Sequence, residues 1–275
     1  MFSRRSDTSI WPLLFLLLAA TLLIPLDRPL LGLSLITRLV LGGTVAILFL
    51  FFVINEPIER RRRYLGLALC IAILVIAPID TSLELGHMIV LGFAFAAVLV
   101  IPAWLLRGSD DISFKLLPNR LDLLDVVYTI ASVPLAWGAF ALYFGLLNPE
   151  APFNWKLPPV PEGSSILKLF LGINAVGVWD ELFFINTCFA LLRSLFPYRI
   201  ANPAQAVIYT VVLYDMAFSG WGPLFVGILA LTQGAMFERS KVLIWVLIVH
   251  LIVDYFLFQG IIAATYPDMS VWWHP

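Results

Sequence analysis

Apolar residues run along this chain in long blocks separated by short polar breaks. A bilayer core about 30 Å thick takes about 20 helical residues. On that rule the blocks predict nine membrane spans, at roughly 10–26, 35–54, 64–79, 86–106, 123–147, 166–196, 203–218, 222–237 and 242–264. The fold class that follows is all-α, a polytopic transmembrane helix bundle. Its parts read as an N-terminal membrane framework of four spans over residues 1–122, a connecting span with a Pro-rich outer loop over 123–164, and a core over 165–275. The first span follows Arg4 and Arg5. It lacks a small-x-small cleavage pattern and has further spans behind it, so it reads as an uncleaved anchor rather than a signal peptide.

Composition agrees with the pattern. The 275 residues are 61% hydrophobic and 13% charged, with a mean hydropathy of +0.96, whereas soluble domains are about half apolar and a quarter charged. The net charge of −1 gives no hint of a nucleic-acid partner. The expected surroundings are a lipid bilayer, plasma or inner membrane or an internal photosynthetic-type membrane. Cys70 and Cys188 both fall in apolar blocks and read as buried free thiols, with no metal-type spacing.

Lys and Arg set the orientation, because cytoplasmic loops carry the excess of both. With the N terminus inside, 13 of the 17 fall on the cytoplasmic side, and Arg28, Arg38, Lys156 and Lys168 fall outside. N-in, C-out is therefore expected. Trp155, Trp221, Trp272 and Trp273 sit near span ends, as in an interfacial aromatic belt. The outer loop 148–165 is expected to stay exposed, with Ser164-Ser165 capping the helix after it.

Against this background 178-VWDELFFINTCFALLRSLF-196 stands out. Asp180 and Glu181 are adjacent, with eleven residues free of charge on either side. Asp180 lies 13 residues before Arg193, Asp215 lies 13 after Asn202, and Asp254 lies 13 after Lys241. At 1.5 Å of rise per residue the three acids are expected about 20 Å from the cytoplasmic face. His250 and Asp254 are i and i+4 on one helix face. A charged Asp at a helix centre costs about 2.5–3.5 kcal/mol, so convergence of three helices on one polar pocket is the expected solution. Asn174, Asn186 and Gln233 read as helix-to-helix hydrogen bonds, and the first two spans as framework.

The order Asp180-Glu181, then Asp215, then His250-x-x-x-Asp254 resembles the CPBP (CAAX protease and bacteriocin-processing) family of intramembrane glutamic proteases. Its motifs are usually written E-E-x-x-x-R, F-x-x-x-H and H-x-x-x-N/D. The resemblance covers roughly residues 165–264. Asp180 stands for the first Glu and Ile185 for the Arg, while Val211 and Asp215 stand for the Phe and His of the second motif. The third motif is intact. The resemblance implies an intramembrane endopeptidase acting on a membrane-associated peptide or protein. In that scheme Asp180 is the base, its shorter stem costing about 1.5 Å of reach. Asp215 is a second carboxylate, His250 an oxyanion donor, and Asp254 a donor only when protonated. Neither metal nor cofactor is implied.

Three other readings use the same groups. The replaced Arg and His also describe a non-catalytic membrane scaffold or chaperone. Several carboxylates and one His suit a divalent ion, although no H-E-x-x-H spacing is present. Buried Asp/His chains also mark proton- or cation-coupled carriers, which commonly show inverted repeats or paired broken helices that this chain lacks.

Overall fold

A computed structural model describes residues 9–26, 28–109, 111–118 and 122–269. Arg4, Arg5, Trp272 and Trp273, and Arg120 of the 13 cytoplasmic Lys and Arg, lie outside the described residues. Among those that are described the chain is all helical, with no strand. The helices are α1 (Trp11–Leu23), α2 (Leu35–Ile54), α3 (Ile58–Ile76), α4 (Leu85–Leu105), α5 (Leu123–Leu142), α6 (Gly163–Asp180), α7 (Ala190–Leu195), α8 (Tyr198–Met216), α9 (Gly222–Ser240) and α10 (Leu243–Thr265). A π-helical segment, Glu181–Phe189, joins α6 to α7 into one rod of 33 residues.

Local chemistry sets several helix ends. The Ser34 side chain accepts the Thr37 amide at the start of α2, and the Asp122 side chain accepts the Leu124 amide at the start of α5. Lys241 takes a left-handed conformation (φ 56°) after α9, and one extended residue, Val242, then leads into α10. Contrary to expectation, Ser164 and Ser165 do not cap the long rod. It starts at Gly163 with Glu162 as N-cap, and both serines lie in the first turn.

Five helical segments are long and apolar enough to cross a membrane: α2, α4, α5 with its π-turn to Leu147, the α6–α7 rod, and α10. The first three turn large apolar side chains outward, among them Ile47 and Phe51 on α2, Phe93 on α4 and Leu135 on α5. An apolar surface of that extent suits lipid. The rod is different: 72% of its apolar window is buried, against 22% for α4. It forms the centre, with its π-segment touching α4, α8, α9 and α10. These features describe an integral membrane protein.

The helix ends gather into two opposite faces. At one, Arg63 pairs with Asp111, Arg193 with Glu238, Arg239 with Asp122 and Asp125, and the Leu243 amide donates to the Lys115 carbonyl. Arg107 follows the end of α4 and Arg199 lies in the first turn of α8, at helix ends on this side. At the far face, Lys156 and His87 meet Asp80, Thr81 donates to the Asn154 carbonyl, and Asn154 donates to the Ala217 carbonyl.

The far face corrects two expectations. Its loop does not stay exposed throughout: Ala151, Pro152 and Trp155 are buried, because Asn148 and Asn154 dock on the carbonyls of the α8–α9 turn. Trp155 is accordingly a packed residue, edge-on to Phe218, rather than part of a belt. A buried charge lies near the start of α2. Arg38 is 2% exposed and donates to the carbonyls of Leu22, Pro25, Leu26 and Arg28, capping the end of α1. Cys70 and Cys188 are buried free thiols, as expected.

Candidate functional site

His250, in the middle of α10, is held on both sides of its ring. Its Nδ1 lies 2.6 Å from Glu181 Oε1. Its Nε2 faces Asp180 Oδ2 and Asp254 Oδ1, each at 3.6 Å, a charge contact rather than a hydrogen bond. Adjacent residues 180 and 181 reach opposite nitrogens because the imidazole sits between their two directions. Gly177, one turn earlier on α6, makes this approach possible, since a Cβ there would collide with the Asp254 carboxylate and lie 2.7 Å from His250 Cδ2. All four ionisable residues are nearly or fully buried.

Two further side chains complete the arrangement. Gln233 of α9 donates to Glu181 Oε1 at 3.0 Å and to the Val246 carbonyl at 2.8 Å, tying α9 to the π-segment and α10. The Tyr209 hydroxyl of α8 lies 3.1 Å from His250 Nδ1. One ring nitrogen cannot serve both Glu181 and Tyr209 equally. The 2.6 Å contact gives Glu181 the stronger claim on that nitrogen. Tyr209 is fixed by stacking on Phe184, with ring centroids 4.1 Å apart.

Four of the five residues singled out in the sequence thus come together: Asp180, Glu181, His250 and Asp254. Asp215 does not join them. Helix α8 begins at Tyr198, not near residue 203, because Pro203 is accommodated within the helix. That places Asp215 six residues, about 9 Å of helix rise, beyond Tyr209, close to the end of α8. There its backbone carbonyl accepts Arg28 Nε at 2.9 Å. Tyr209 is the α8 contribution that sequence reasoning missed. A buried tyrosine normally finds a polar partner, and Tyr209 follows Gln205 by one turn, which was the available signal. Of the three amides expected between helices, Gln233 makes that contact. Asn174 bonds its own helix at the Phe170 carbonyl, and Asn186 is buried without a side-chain partner among the described residues.

A cavity of about 710 Å³ adjoins the cluster, a size common for ligand sites. Asp180, His250 and Asp254 line its inner end, while Glu181 and Tyr209 stand behind. Its walls are mostly apolar. Asp180 Oδ1 and Asp254 Oδ2 have no hydrogen-bond partner among the described residues, so the carboxylates nearest the cavity retain acceptor capacity. Among the described residues no group of three or more His, Cys, Asp or Glu side chains takes a metal-holding geometry. No protein-family model, curated protein or solved structure matches the chain.

Proposed function

We propose that the protein is an intramembrane endopeptidase of the CPBP type, cleaving a membrane-associated peptide or protein. The observation that carries this reading is the division of labour between the adjacent acids. Asp180 lines the cavity with one oxygen free, whereas Glu181 does not reach it: its Oε1 is taken by His250 and Gln233, and its Oε2 is enclosed in protein. In this reading Asp180 takes a proton from a water as its oxygen adds to the scissile carbonyl. Glu181 orients the imidazole through Nδ1, as the carboxylate of a hydrolytic triad does. His250 Nε2, protonated, and Asp254, when protonated, donate to the oxyanion. Collapse of the tetrahedral intermediate returns the proton from Asp180 to the leaving amine.

The reading places nine helical spans in the bilayer, N-in and C-out, with the basic face cytoplasmic under the positive-inside rule. The peptidase core is the last four, from the α6–α7 rod to α10. A non-catalytic scaffold is the second reading, favoured by one observation: Ile185, where the family carries Arg, is fully buried in the apolar core. The test is incubation of the purified full chain with apolar, quenched-fluorescence peptides in detergent. Cleavage by the wild type and at least a hundredfold loss in Asp180→Ala supports the peptidase. Cleavage by neither, with a membrane protein co-purifying with both, supports the scaffold.

A further inference from the structure

The cavity is one-sided. On α4 its lining runs from Met88 to Ala96, the half nearer the far face, and on α9 from Phe225 to Thr232, again the half nearer that face. Helix α5 and its π-turn contribute from Tyr128 outward to Tyr143, and the α6–α7 rod contributes nothing past Asp180. Beyond the cluster, toward the basic face, the rod is closed by Phe183, Phe184, Ile185 and Phe189, all at most 1% exposed. The opposite end of the cavity reaches the α3–α4 loop at Asp80, Thr81 and Ser82, with His87 beside them. The rod thus separates the cavity from Arg193 by packed core, and on α5 the lining stops at Tyr128, one turn short of Asp125, which pairs with Arg239.

We infer that the substrate reaches the cluster from the far, non-cytoplasmic face, as an extended apolar segment inserted past Asp80 and His87. This rests on the peptidase reading for what happens to the segment, but not for the route. His250 lies 15 residues before the end of α10, about 22 Å of helix rise, which an extended chain at about 3.3 Å per residue covers in six or seven residues. The walls along that path are mostly apolar, and between the mouth and the cluster the hydroxyl-bearing lining residues are Tyr128, Ser132, Tyr143 and Thr232. The segment that fits is poor in charge along that length and has its scissile carbonyl at its inner end. The site therefore selects the part of a membrane peptide that emerges on the non-cytoplasmic side.

The route is tested on the full chain in right-side-out and inside-out membrane vesicles with a membrane-impermeant cationic thiol reagent. Ser82→Cys marks the mouth. Ser132→Cys and Thr232→Cys mark opposite walls near the inner end, so that one folded variant suffices. The native Cys70 and Cys188 are buried, and the wild type measures their background. Both wall variants should react at least tenfold faster from right-side-out vesicles. Faster reaction from inside-out vesicles overturns the inference, as does reaction of Ser82→Cys with none at either wall position. An impermeant apolar heptapeptide supplied outside adds the second readout. Wild type that cleaves it in detergent but only from inside-out vesicles sinks the route, while wild type that never cleaves it, with the labelling pattern intact, sinks the peptidase reading alone.

Discussion

His250 Nδ1 and Glu181 Oε1 lie 2.6 Å apart in the centre of the bundle, joining α10 to the first residue of the π-segment. That junction is where the long rod changes its helical pitch. Isolated π-turns inside α-helices occur frequently at functional sites. Here the change of pitch begins at the residue that orients the imidazole, so the altered geometry of the rod and the polar cluster coincide.

Glu181 is fully buried and has partners on two helices. Glu181→Ala would strand the imidazole and the Gln233 amide without an acceptor. Breaking a buried charged pair from one side costs about 3–5 kcal/mol, so this variant should show a markedly lower melting temperature in detergent. Glu181→Gln keeps one acceptor oxygen and should lose less. Equal melting of wild type and Glu181→Ala would mean the contact contributes nothing to holding α10 on the rod.

Gly177 makes a sharper demand on shape. A methyl group there would collide with the Asp254 carboxylate and crowd the His250 ring. Both are buried, so relief requires α6 and α10 to move apart. Overpacking of this kind costs about 1–3 kcal/mol. Gly177→Ala should lower the melting temperature and displace the histidine, seen as a change in the pH dependence of His250 chemical shifts. Gly172 on the same helix, where a Cβ would make only an ordinary contact with Met88, is the control: Gly172→Ala should leave both unchanged.

The centre of this site was legible in the sequence for a physical reason. Helical periodicity alone places His250 and Asp254 on one face, and the cost of charge in hydrocarbon drives isolated acids toward one another. Matched depth was a weaker guide. It depended on where each helix begins, and α8 begins at Tyr198 rather than at the boundary taken at Asn202. The error moved Asp215 inward and hid Tyr209. Arg38 was hidden for a different reason. Its role is to cap backbone carbonyls of α1 and the turn after it, and no spacing of side chains announces unsatisfied carbonyls in another helix.

The basic face offers a pH test away from the cluster. The Leu124 amide and the Arg239 guanidinium hold the Asp122 carboxyl below its ordinary value of 3.8. A carboxyl whose value is depressed in the folded state stabilises the fold above its unfolded value, and that contribution disappears as pH falls through the folded value. Wild type should therefore melt slightly above Asp122→Asn at pH 6 to 7, with the gap closing only as pH drops below about 3.8. The side chain is exposed, so the gap should also shrink in high salt. A gap that widens on acidification would contradict the pairing.

The sharpest choice is between enzyme and scaffold, and it falls on Asp180. Asn at this position keeps size and polarity but removes the proton acceptor, whereas Glu keeps the acceptor and adds about 1.5 Å of reach. If Asp180 activates water, Asp180→Asn should lose at least a hundredfold in turnover with melting nearly unchanged, and Asp180→Glu should retain measurable cleavage. If the residue only ties helices together, the order reverses. Asn removes a buried charge and should be tolerated or even stabilising, while Glu must force a longer chain into a site where Asp180 is 2% exposed, beside His250. Turnover and melting measured together on the two variants separate these outcomes, because each reading expects a different variant to be the damaged one. Full activity in Asp180→Asn would remove Asp180 from the chemistry.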